Sequence, residues 1–315
     1  MTSILIIGKN GFVGRNLYEY FGKREYSVSC VSSLELNLLH EKDVADYFSR
    51  NYYDIVIDTA IYNPRVGSGK DSTKELEYDL LMFHNLAKCH KMYGRLIYFG
   101  SGAEYDKRYP ICSVSEESLI GGSESVLDKA EQCQCSGQIP VTQYGLAKYI
   151  VGQEIEARIY GADNIYNLRI FGLFGKYENW KTTFISGACC KAVKNLPITI
   201  RQNVYFDYLY INDFCKILES FININAPRYH TYNITSGRRV SLIEIADMVK
   251  AVSGKDIPIY ACKEGLANEY TASNHRLIDE IGGYKFEDME DSVKDLYQWY
   301  ESKSDDIDIL SLLYQ

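Results

Sequence analysis

Three side chains have the types and the spacing of a proton-transfer site. Tyr144 and Lys148 stand four residues apart in the segment QYGLAK, which opens a predicted helix, so both side chains lie on one helix face. An ammonium group beside a phenol favours the phenolate, and we expect Lys148 to lower the pKa of Tyr144 toward neutrality. Ser101, at the end of a predicted strand, is placed to hydrogen-bond the same substrate oxygen. Together the three residues predict proton exchange with a substrate oxygen, whereas an isolated Tyr/Lys pair would be helix surface.

A glycine turn near the N-terminus predicts a dinucleotide site. Residues 3–7 form an apolar run typical of a buried parallel strand, and Gly8, Gly11 and Gly14 separate it from apolar residues at helical spacing. The first glycine permits the tight bend, the second lets the backbone approach a pyrophosphate, and the third lets helix and strand pack closely. The helix N-terminus then faces the phosphates. The other residues expected to hold the cofactor in this turn are Lys9, Asn10, Phe12 and Val13.

The residues after the second predicted strand bear on the choice between NAD and NADP. An acidic residue there would bind the adenosine ribose hydroxyls, and an arginine would favour a 2′-phosphate. This chain has Ser32 and Ser33 instead, while Lys9 offers a positive charge in the glycine turn, so the prediction leans to NADP over NAD. The remaining residues expected to contact the cofactor are Asn37, Leu38, Thr59 and Ala60.

The elements that would position these residues alternate along the chain. Strands are predicted at 26–31, 54–60 and 95–100, and helices at 41–50, 73–90 and 143–160. This order predicts an α/β fold with a doubly wound parallel sheet, in which ligands bind beyond the carboxyl ends of the strands. Residues 106–140 have little periodicity and predict a surface loop over the cleft. The elements expected further on are helices at 184–193, 241–253 and 289–300, strands at 198–200 and 257–260, and a surface helix or disordered tail at 302–315.

Composition excludes several classes of protein. The chain has 315 residues, 46% of them hydrophobic and 24% charged, which is typical of a globular protein. A net charge of −8 without a basic run argues against nucleic-acid and anionic-membrane partners. No apolar run reaches the roughly 18 residues of a membrane span and no signal peptide is evident, so we expect a cytoplasmic protein. The nine cysteines and five histidines lack the spacing of a zinc site, so free thiols and no metal are expected.

These motifs, in this order, resemble the extended short-chain dehydrogenase/reductase family, also called the NAD-dependent epimerase/dehydratase family. The resemblance rests on the glycine turn, Ser101, the Tyr144/Lys148 pair, and the later stretches at 208–213 and 232–237. It implies a Rossmann domain over residues 1–168, a segment near 204–222 that returns to it, and a smaller α/β substrate lobe over 169–315. It also implies a catalytic set of Ser101, Tyr144 and Lys148, a nucleotide-linked sugar as the small-molecule substrate, and a homodimer.

The resemblance also indicates which of the family's reactions to expect. Sugar dehydratases of the family carry an acidic pair where this chain has Gly102 and Ala103, so dehydration is not expected. Residues 33–39 resemble the equivalent part of 4-keto reductases such as GDP-fucose synthase and dTDP-4-dehydrorhamnose reductase. The cysteine and histidine with which GDP-fucose synthase epimerises would fall at Ala103 and near Phe184, so keto reduction without that epimerisation is predicted. The alternatives are a 4-epimerase with tightly bound NAD and a non-catalytic NADP-binding regulator.

The substrate contacts are less well defined by the motifs. Nucleotide-sugar members of the family have an arginine where this chain has Phe206. The leading interpretation is nevertheless a nucleotide-linked 4-keto-6-deoxyhexose in surface-polysaccharide biosynthesis. Three arginines are candidates for a diphosphate, although each is equally a candidate surface or lobe-bridging residue. The residues expected to bind the substrate are Ser101, Ala103, Arg169, Arg201 and Arg276.

Overall fold

Thirteen strands and ten helices are found in the part of the chain that the computed structural model describes, which is residues 1–64, 69–119, 135 and 137–313. The strands are β1 (Thr2–Ile7), β2 (Tyr26–Val31), β3 (Ile55–Asp58), β4 (Arg95–Ser101), β5 (Ile111–Val114), β6 (Ile165–Ile170), β7 (Gly172–Phe174), β8 (Ile198–Asn203), β9 (Tyr205–Tyr210), β10 (Thr231–Ile234), β11 (Arg239–Ser241), β12 (Ile259–Leu266) and β13 (Tyr270–Ala272). The helices are α1 (Phe12–Phe21), α2 (Glu41–Arg50), α3 (Glu75–Lys88), α4 (Gln143–Glu156), α5 (Phe184–Val193), α6 (Ile211–Ile222), α7 (Leu242–Ser253), α8 (His275–Ile281), α9 (Met289–Glu301) and α10 (Ile309–Leu313).

Six strands form a parallel sheet in the order β2-β1-β3-β4-β6-β10. Strand β1 is buried on both faces because its alternating side chains enter different cores. Ile4 and Ile6 pack with α1 and α6, whereas Leu5 and Ile7 pack with α2, α3 and α4. The predicted α/β fold with a doubly wound parallel sheet is confirmed. The strand order reverses between β1 and β3, so the glycine turn after β1 lies at the switch point where such sheets bind ligands.

The later strands build a second, smaller part. Strands β11, β9, β13 and β5 form a sheet in that order, with β7 beside β9, and β12 pairs with β8. Helices α5, α7 and α9 pack in the same apolar core as α1 and α6. Strand β10 also joins the first sheet, so the chain crosses between the two parts more than once. The domain division at residue 168 and the returning segment at 204–222 stay predictions.

The predicted surface loop at 106–140 is wrong for its first part. Strand β5 pairs with β13, and Ile111 and Val114 are buried beside Tyr105 and Phe171. The short apolar run was too brief to predict a strand, because its partner lies more than 150 residues later in the chain. Residues 120–134 and 136, which include the glycine- and serine-rich stretch, lie outside the described residues.

Most other elements begin and end close to their predicted bounds. Helix α4 ends at Glu156 rather than at 160, because Arg158 and Tyr160 have positive φ angles of 51° and 56°. The tail carries the short helix α10, in which Leu312 is buried. Among the described helices none has the length and apolarity to cross a membrane. The described residues also contain no cluster of three or more His, Cys, Asp or Glu side chains arranged to hold a metal ion.

Candidate active site

The glycine turn is built around close backbone contacts. Gly8 has a φ of +105°, and a Cβ at this position would overlap the Thr59 hydroxyl. A Cβ on Gly14 would overlap the Gly8 carbonyl, whereas one on Gly11 would meet only the Gly8 oxygen at 3.4 Å. Thr59 donates from its hydroxyl to the Ile7 carbonyl at 2.7 Å and so holds the turn against β3. Gly8 and Gly14 are therefore needed by the chain itself, and Gly11 leaves room for a ligand at the backbone.

Helix α1 presents an open N-terminus to this turn. Gly11 caps the helix without a side-chain hydrogen bond, and no acidic residue stands in the first turn. Backbone N–H groups at such an end bind anions. Lys9 and Asn10 are exposed, and Phe12 and Val13 are half-buried at the start of the helix. The open helix end is suited to the pyrophosphate of a dinucleotide, and the contacts of these residues with a cofactor stay a prediction.

The structure adds an acidic side chain to the predicted adenosine end. Glu35 accepts hydrogen bonds from the Ser32 N–H at 2.7 Å and the Ser32 hydroxyl at 2.9 Å, and it lies 3.7 Å from the Lys9 ammonium. The hydrogen bonds from Ser32 lower the pKa of Glu35. Sequence reasoning considered only Ser32 and Ser33, because Glu35 reaches the strand end by folding back over a turn. The lysine that favoured NADP is thus already paired with a carboxylate.

The other predicted cofactor residues divide into accessible and structural ones. Asn37 is half-buried and accepts the Leu39 N–H at 3.1 Å, while Leu38 is buried in the core under α2 and α3. Ala60, at the carboxyl end of β3, is half-buried and donates its N–H to Asp58 at 3.0 Å. Asn37 and Ala60 are therefore partly accessible at the edge of the sheet, whereas Leu38 packs in the core beneath that edge.

Ser101 and Tyr144 meet at the carboxyl end of β4. The Thr142 hydroxyl caps α4 by accepting the Gly145 N–H at 3.1 Å, which sets the start of the helix beside β4. Tyr144 lies near the Ser101 side chain, which acts to lower the Tyr144 pKa, and the Ser101 oxygen accepts the Ala103 N–H at 3.1 Å. Burial raises the pKa of Tyr144 to about 12. The expected lowering toward neutrality is therefore wrong for the chain itself, because burial outweighs the effect of Ser101.

The Lys148 ammonium is held by β4. It is buried, donates to the Phe99 carbonyl at 2.7 Å, and stands 4.3 Å from the centre of the Tyr98 ring. The distance to the Tyr144 ring centre is 5.8 Å. Burial lowers the pKa of Lys148, and the charges of Asp79 and Asp58 oppose that lowering. The tyrosine and lysine do share one side of α4, but their neighbours on the adjacent strands decide the electrostatics.

A buried ion pair supports Ser101 from below. Glu104 accepts the Ser101 N–H at 3.2 Å and the Arg169 Nε–H at 2.7 Å, and neither charged side chain is more than 2% exposed. Arg169 also donates to the Tyr105 hydroxyl at 3.1 Å. Its assignment as a diphosphate ligand is therefore wrong, since the guanidinium is enclosed. Sequence reasoning missed Glu104, although an acidic residue three positions after a strand-end serine is a capping-box pattern.

Tyr270 is a further residue at this centre that the sequence did not indicate. It lies on β13, a Cβ on Gly102 would overlap its hydroxyl, and the neighbouring Ser101 side chain acts to lower its pKa. The ring packs between Phe171 and Phe206, with centroid distances of 5.1 and 5.5 Å. Two tyrosines from distant parts of the chain thus lie beside Ser101. Phe206, which replaces the family arginine, belongs to this aromatic wall.

The two remaining arginines differ in accessibility. Arg276 donates to the Thr231 carbonyl at 3.0 Å, pairs with Glu117, and lies 4.2 Å from the Tyr229 ring centre, so its guanidinium is already engaged by the chain and its role as a diphosphate ligand stays a prediction. Arg201 is exposed and lines a cavity of about 660 Å³. The other polar residues lining that cavity are Lys181, Thr182, Thr183, Lys191, Thr199 and Cys262, and Phe184 lies among its apolar ones. Ala103 is buried and contributes its N–H to Ser101 rather than an open surface.

Comparison with known proteins identifies the family of the chain. The sequence model of the NAD dependent epimerase/dehydratase family matches residues 4–235. The GDP-L-colitose synthase of Yersinia pseudotuberculosis is 20% identical over 309 residues, which cover 94% of this chain and 97% of that protein. The match therefore extends over nearly all of both chains.

Solved structures share the fold. The GDP-mannoheptose C4 reductase of Campylobacter jejuni, with NADP bound, superposes with a TM-score of 0.74 at 19% identity, covering 95% of this chain and 98% of that one. The UDP-glucose 4-epimerase of Thermotoga maritima superposes with a TM-score of 0.76 at 16% identity, covering 96% and 99%. Reductases and epimerases thus have the architecture seen here.

Proposed function

The chain belongs to the NAD dependent epimerase/dehydratase family and is an NAD(P)-dependent oxidoreductase-type enzyme, and we propose that it reduces the keto group of a nucleotide-linked sugar. The observation that carries the proposal is the placement of a protonated Tyr144 beside Ser101 at the carboxyl end of β4. A carbonyl becomes an alcohol only when its oxygen receives a proton, and a tyrosine whose pKa is raised to about 12 is in the donor form at neutral pH.

Each site residue has a role in this reaction. The turn from Gly8 to Gly14 and the open end of α1 would hold the dinucleotide, which supplies the hydride when bound. Tyr144 would donate a proton to the carbonyl oxygen, and Ser101 would hydrogen-bond that oxygen as charge develops on it. Lys148, fixed by the Phe99 carbonyl, would hold the nicotinamide ribose.

The proposed substrate is a nucleotide-linked 4-keto-6-deoxyhexose used in surface-polysaccharide biosynthesis. The cavity beside α5 supports a diphosphate, because Lys181, Lys191 and Arg201 bring three cations to its wall together with three threonine hydroxyls. Arg201 has no ion-pair partner among residues 1–64, 69–119, 135 and 137–313, so its guanidinium is open to a ligand. The names of the relatives, a GDP-L-colitose synthase and a GDP-mannoheptose C4 reductase, support this substrate class and favour a guanine nucleotide.

A 4-epimerase that keeps NAD bound is the second candidate. The likeness to the Thermotoga maritima UDP-glucose 4-epimerase favours it, and the same Ser101, Tyr144 and Lys148 would serve. An epimerase regenerates its own cofactor, so it consumes no reduced cofactor from solution. The two functions are therefore separated by one measurement.

The test follows the absorbance of NADPH and NADH with GDP-, CDP- and dTDP-linked 4-keto-6-deoxyhexoses. Reductase activity predicts consumption with one nucleotide series, and Tyr144→Phe should lower kcat about 100-fold or more while cofactor affinity stays nearly unchanged. Wild-type turnover in Tyr144→Phe would refute the mechanism. No consumption from protein purified with bound NAD, together with interconversion of a 4-hydroxy sugar, would establish the epimerase.

The assembly proposed with this function is a homodimer that pairs α3 and α4 of two subunits. Light scattering after gel filtration tests it. A monomer at micromolar concentration would contradict it.

A further inference from the structure

Lys107 is a cation beside the candidate active site to which the proposed reaction gives no role. It keeps an exposed surface, and its ammonium lies over the Tyr270 ring, 4.2 Å from the ring centre. An ammonium at this distance from the face of a phenol ring is held there by a cation–π attraction. The lysine is therefore oriented by the aromatic wall of the site.

The loop that carries Lys107 is fixed by the residues on either side of it. Tyr105 is fully buried, and its hydroxyl donates to the Ser115 carbonyl at 2.8 Å. The Asn268 side chain donates to the Arg108 carbonyl at 2.9 Å and ties the loop to the stretch before β13. Lys107 stands between these two anchored residues, so the fold sets its position relative to the site.

The carboxylates near Lys107 are occupied by other cations. Asp106 is buried and pairs with Arg108 at 2.6 Å, and Glu269 pairs with Arg239 at 2.9 Å. Lys107 itself has no ion-pair partner in the part of the chain that the structure describes. Desolvation lowers the pKa of Lys107, and no acidic side chain of that part opposes the lowering. The ammonium thus has an aromatic face beside it but no anion.

One aromatic ring separates this ammonium from the proposed catalytic groups. The hydroxyl end of Tyr270 lies against Gly102, the residue after Ser101, because a Cβ on Gly102 would overlap that hydroxyl. Ser101 and Tyr144 would bind the keto oxygen of the substrate there. In a 4-keto hexose linked through its first carbon, one sugar ring separates the keto carbon from the diphosphate. The Lys107 ammonium is therefore about as far from the keto position as the first phosphate would be.

The aromatic wall continues from Lys107 toward the cavity beside α5. The Phe206 ring packs on Tyr270 with centroids 5.5 Å apart and stacks on Tyr208 at 5.3 Å. Tyr208 in turn meets Phe174, 6.1 Å away, at the end of β7. The segment after β7 leads into α5 and supplies polar residues to the cavity. A nucleotide sugar that joins the two sites would lie along this wall, with Lys107 at its sugar end.

We propose that Lys107 binds the phosphate next to the hexose and so places the keto carbon of the sugar at Ser101 and Tyr144. The inference rests on the proposed function and deepens it, because it assigns the contact that fixes the sugar end of the substrate. A charge-assisted hydrogen bond from an ammonium to a phosphate oxygen is stronger than a neutral one. The phosphate does not react, so this contact is the same in the ground state and in the transition state. Its loss should raise KM and leave kcat nearly unchanged.

The test is equilibrium binding of GDP and GMP by isothermal titration calorimetry, which needs no turnover. UDP and UMP, CDP and CMP, and dTDP and dTMP are titrated alongside, and the pair with the highest affinity is used for the variants. The wild type should bind the diphosphate more tightly than the monophosphate. Lys107→Met keeps the side-chain stem beside Tyr270 and removes the charge, so it should weaken diphosphate binding about tenfold and leave monophosphate binding unchanged. Lys107→Arg should keep most of the diphosphate affinity.

Lys303→Met is the matched control, because the Lys303 ammonium also lies over an aromatic ring, 5.7 Å from the centre of Trp299, but follows α9 and does not line the cavity. Its nucleotide affinities should equal those of the wild type. Equal losses of diphosphate and monophosphate affinity in Lys107→Met, no loss in that variant, or the same loss in Lys303→Met would overturn the proposal. A wild type that binds none of the four nucleoside diphosphates would also overturn it.

The enzyme assay provides a second readout. Lys107→Met should raise KM for the keto sugar about tenfold, with kcat within about twofold of the wild type. A raised KM without a loss of diphosphate affinity would place the anion that Lys107 binds on the sugar itself, and would overturn the assignment to the phosphate. If the wild type reduces no keto sugar, the proposed function fails, while the diphosphate and monophosphate titrations still decide the role of Lys107.

Discussion

The Glu104–Arg169 pair offers the sharpest quantitative prediction. Replacing Glu104 by Gln keeps the shape but leaves the Arg169 guanidinium buried without its counter-charge. Burial alone would lower the pKa of Arg169, and the charge of Glu104 outweighs it and raises that pKa above the ordinary arginine value. Removing one member of a buried ion pair costs about 3–5 kcal/mol. This is a large part of the roughly 5–15 kcal/mol that stabilises an ordinary domain.

The assay is urea unfolding followed by tryptophan fluorescence. Glu117→Gln is the matched control, because it breaks a Glu–Arg pair in which the glutamate is 50% exposed and should cost at most about 1 kcal/mol. Glu104→Gln should also lower kcat, because an amide placed against the Arg169 guanidinium disturbs the loop that Glu104 holds at Ser101. The double variant Glu104→Gln/Arg169→Met should recover much of the lost stability. A Glu104→Gln loss within about 1 kcal/mol of the Glu117→Gln loss would refute the reasoning.

Three further predictions concern the cofactor, the second tyrosine and pH. Glu35→Gln frees Lys9 and removes a negative charge from the predicted adenosine end of the cofactor site. The ratio of the NADPH dissociation constant to the NADH dissociation constant, measured by fluorescence titration, should therefore fall about two- to fivefold. An unchanged ratio would place Glu35 outside the site. Tyr270→Phe removes the hydroxyl that lies beside Ser101 and should lower kcat about tenfold without changing cofactor affinity, and equal losses in both would indicate a packing defect. Burial raises the pKa of Glu178 from 4.5 to about 7, so the unfolded chain releases this proton at lower pH than the native one, and wild-type stability falls as pH rises between these values. Glu178→Gln has no carboxyl group to ionise, so it should not lose this stability. Its free energy of unfolding in urea, relative to that of the wild type, should increase by up to about 3 kcal/mol between pH 4.5 and pH 8. A difference that does not change with pH would contradict the ionisation.

The sequence by itself predicted the fold and indicated the residues now proposed to be catalytic, because both depend on local patterns. The apolar run before Gly8 and the Gly8/Gly11/Gly14 spacing are contiguous, so periodicity and backbone sterics determine the strand, turn and helix. Tyr144 and Lys148 share a helix, and Ser101 ends a strand, so chain order alone brings these groups to one edge of a parallel sheet.

The tertiary structure decided what those groups can do, since it set their burial and their distant partners. Residues about 65 to 170 positions apart in the chain are brought together in the Glu104–Arg169 pair and in the placement of Tyr270 beside Ser101. Helical spacing placed Lys148 on the same side of α4 as Tyr144, but its ammonium donates to the Phe99 carbonyl, and burial raised the pKa of Tyr144. The sequence does not distinguish an arginine that is open to a ligand from one that supports a core, and only the burial seen in the structure separates Arg169 from the exposed Arg201.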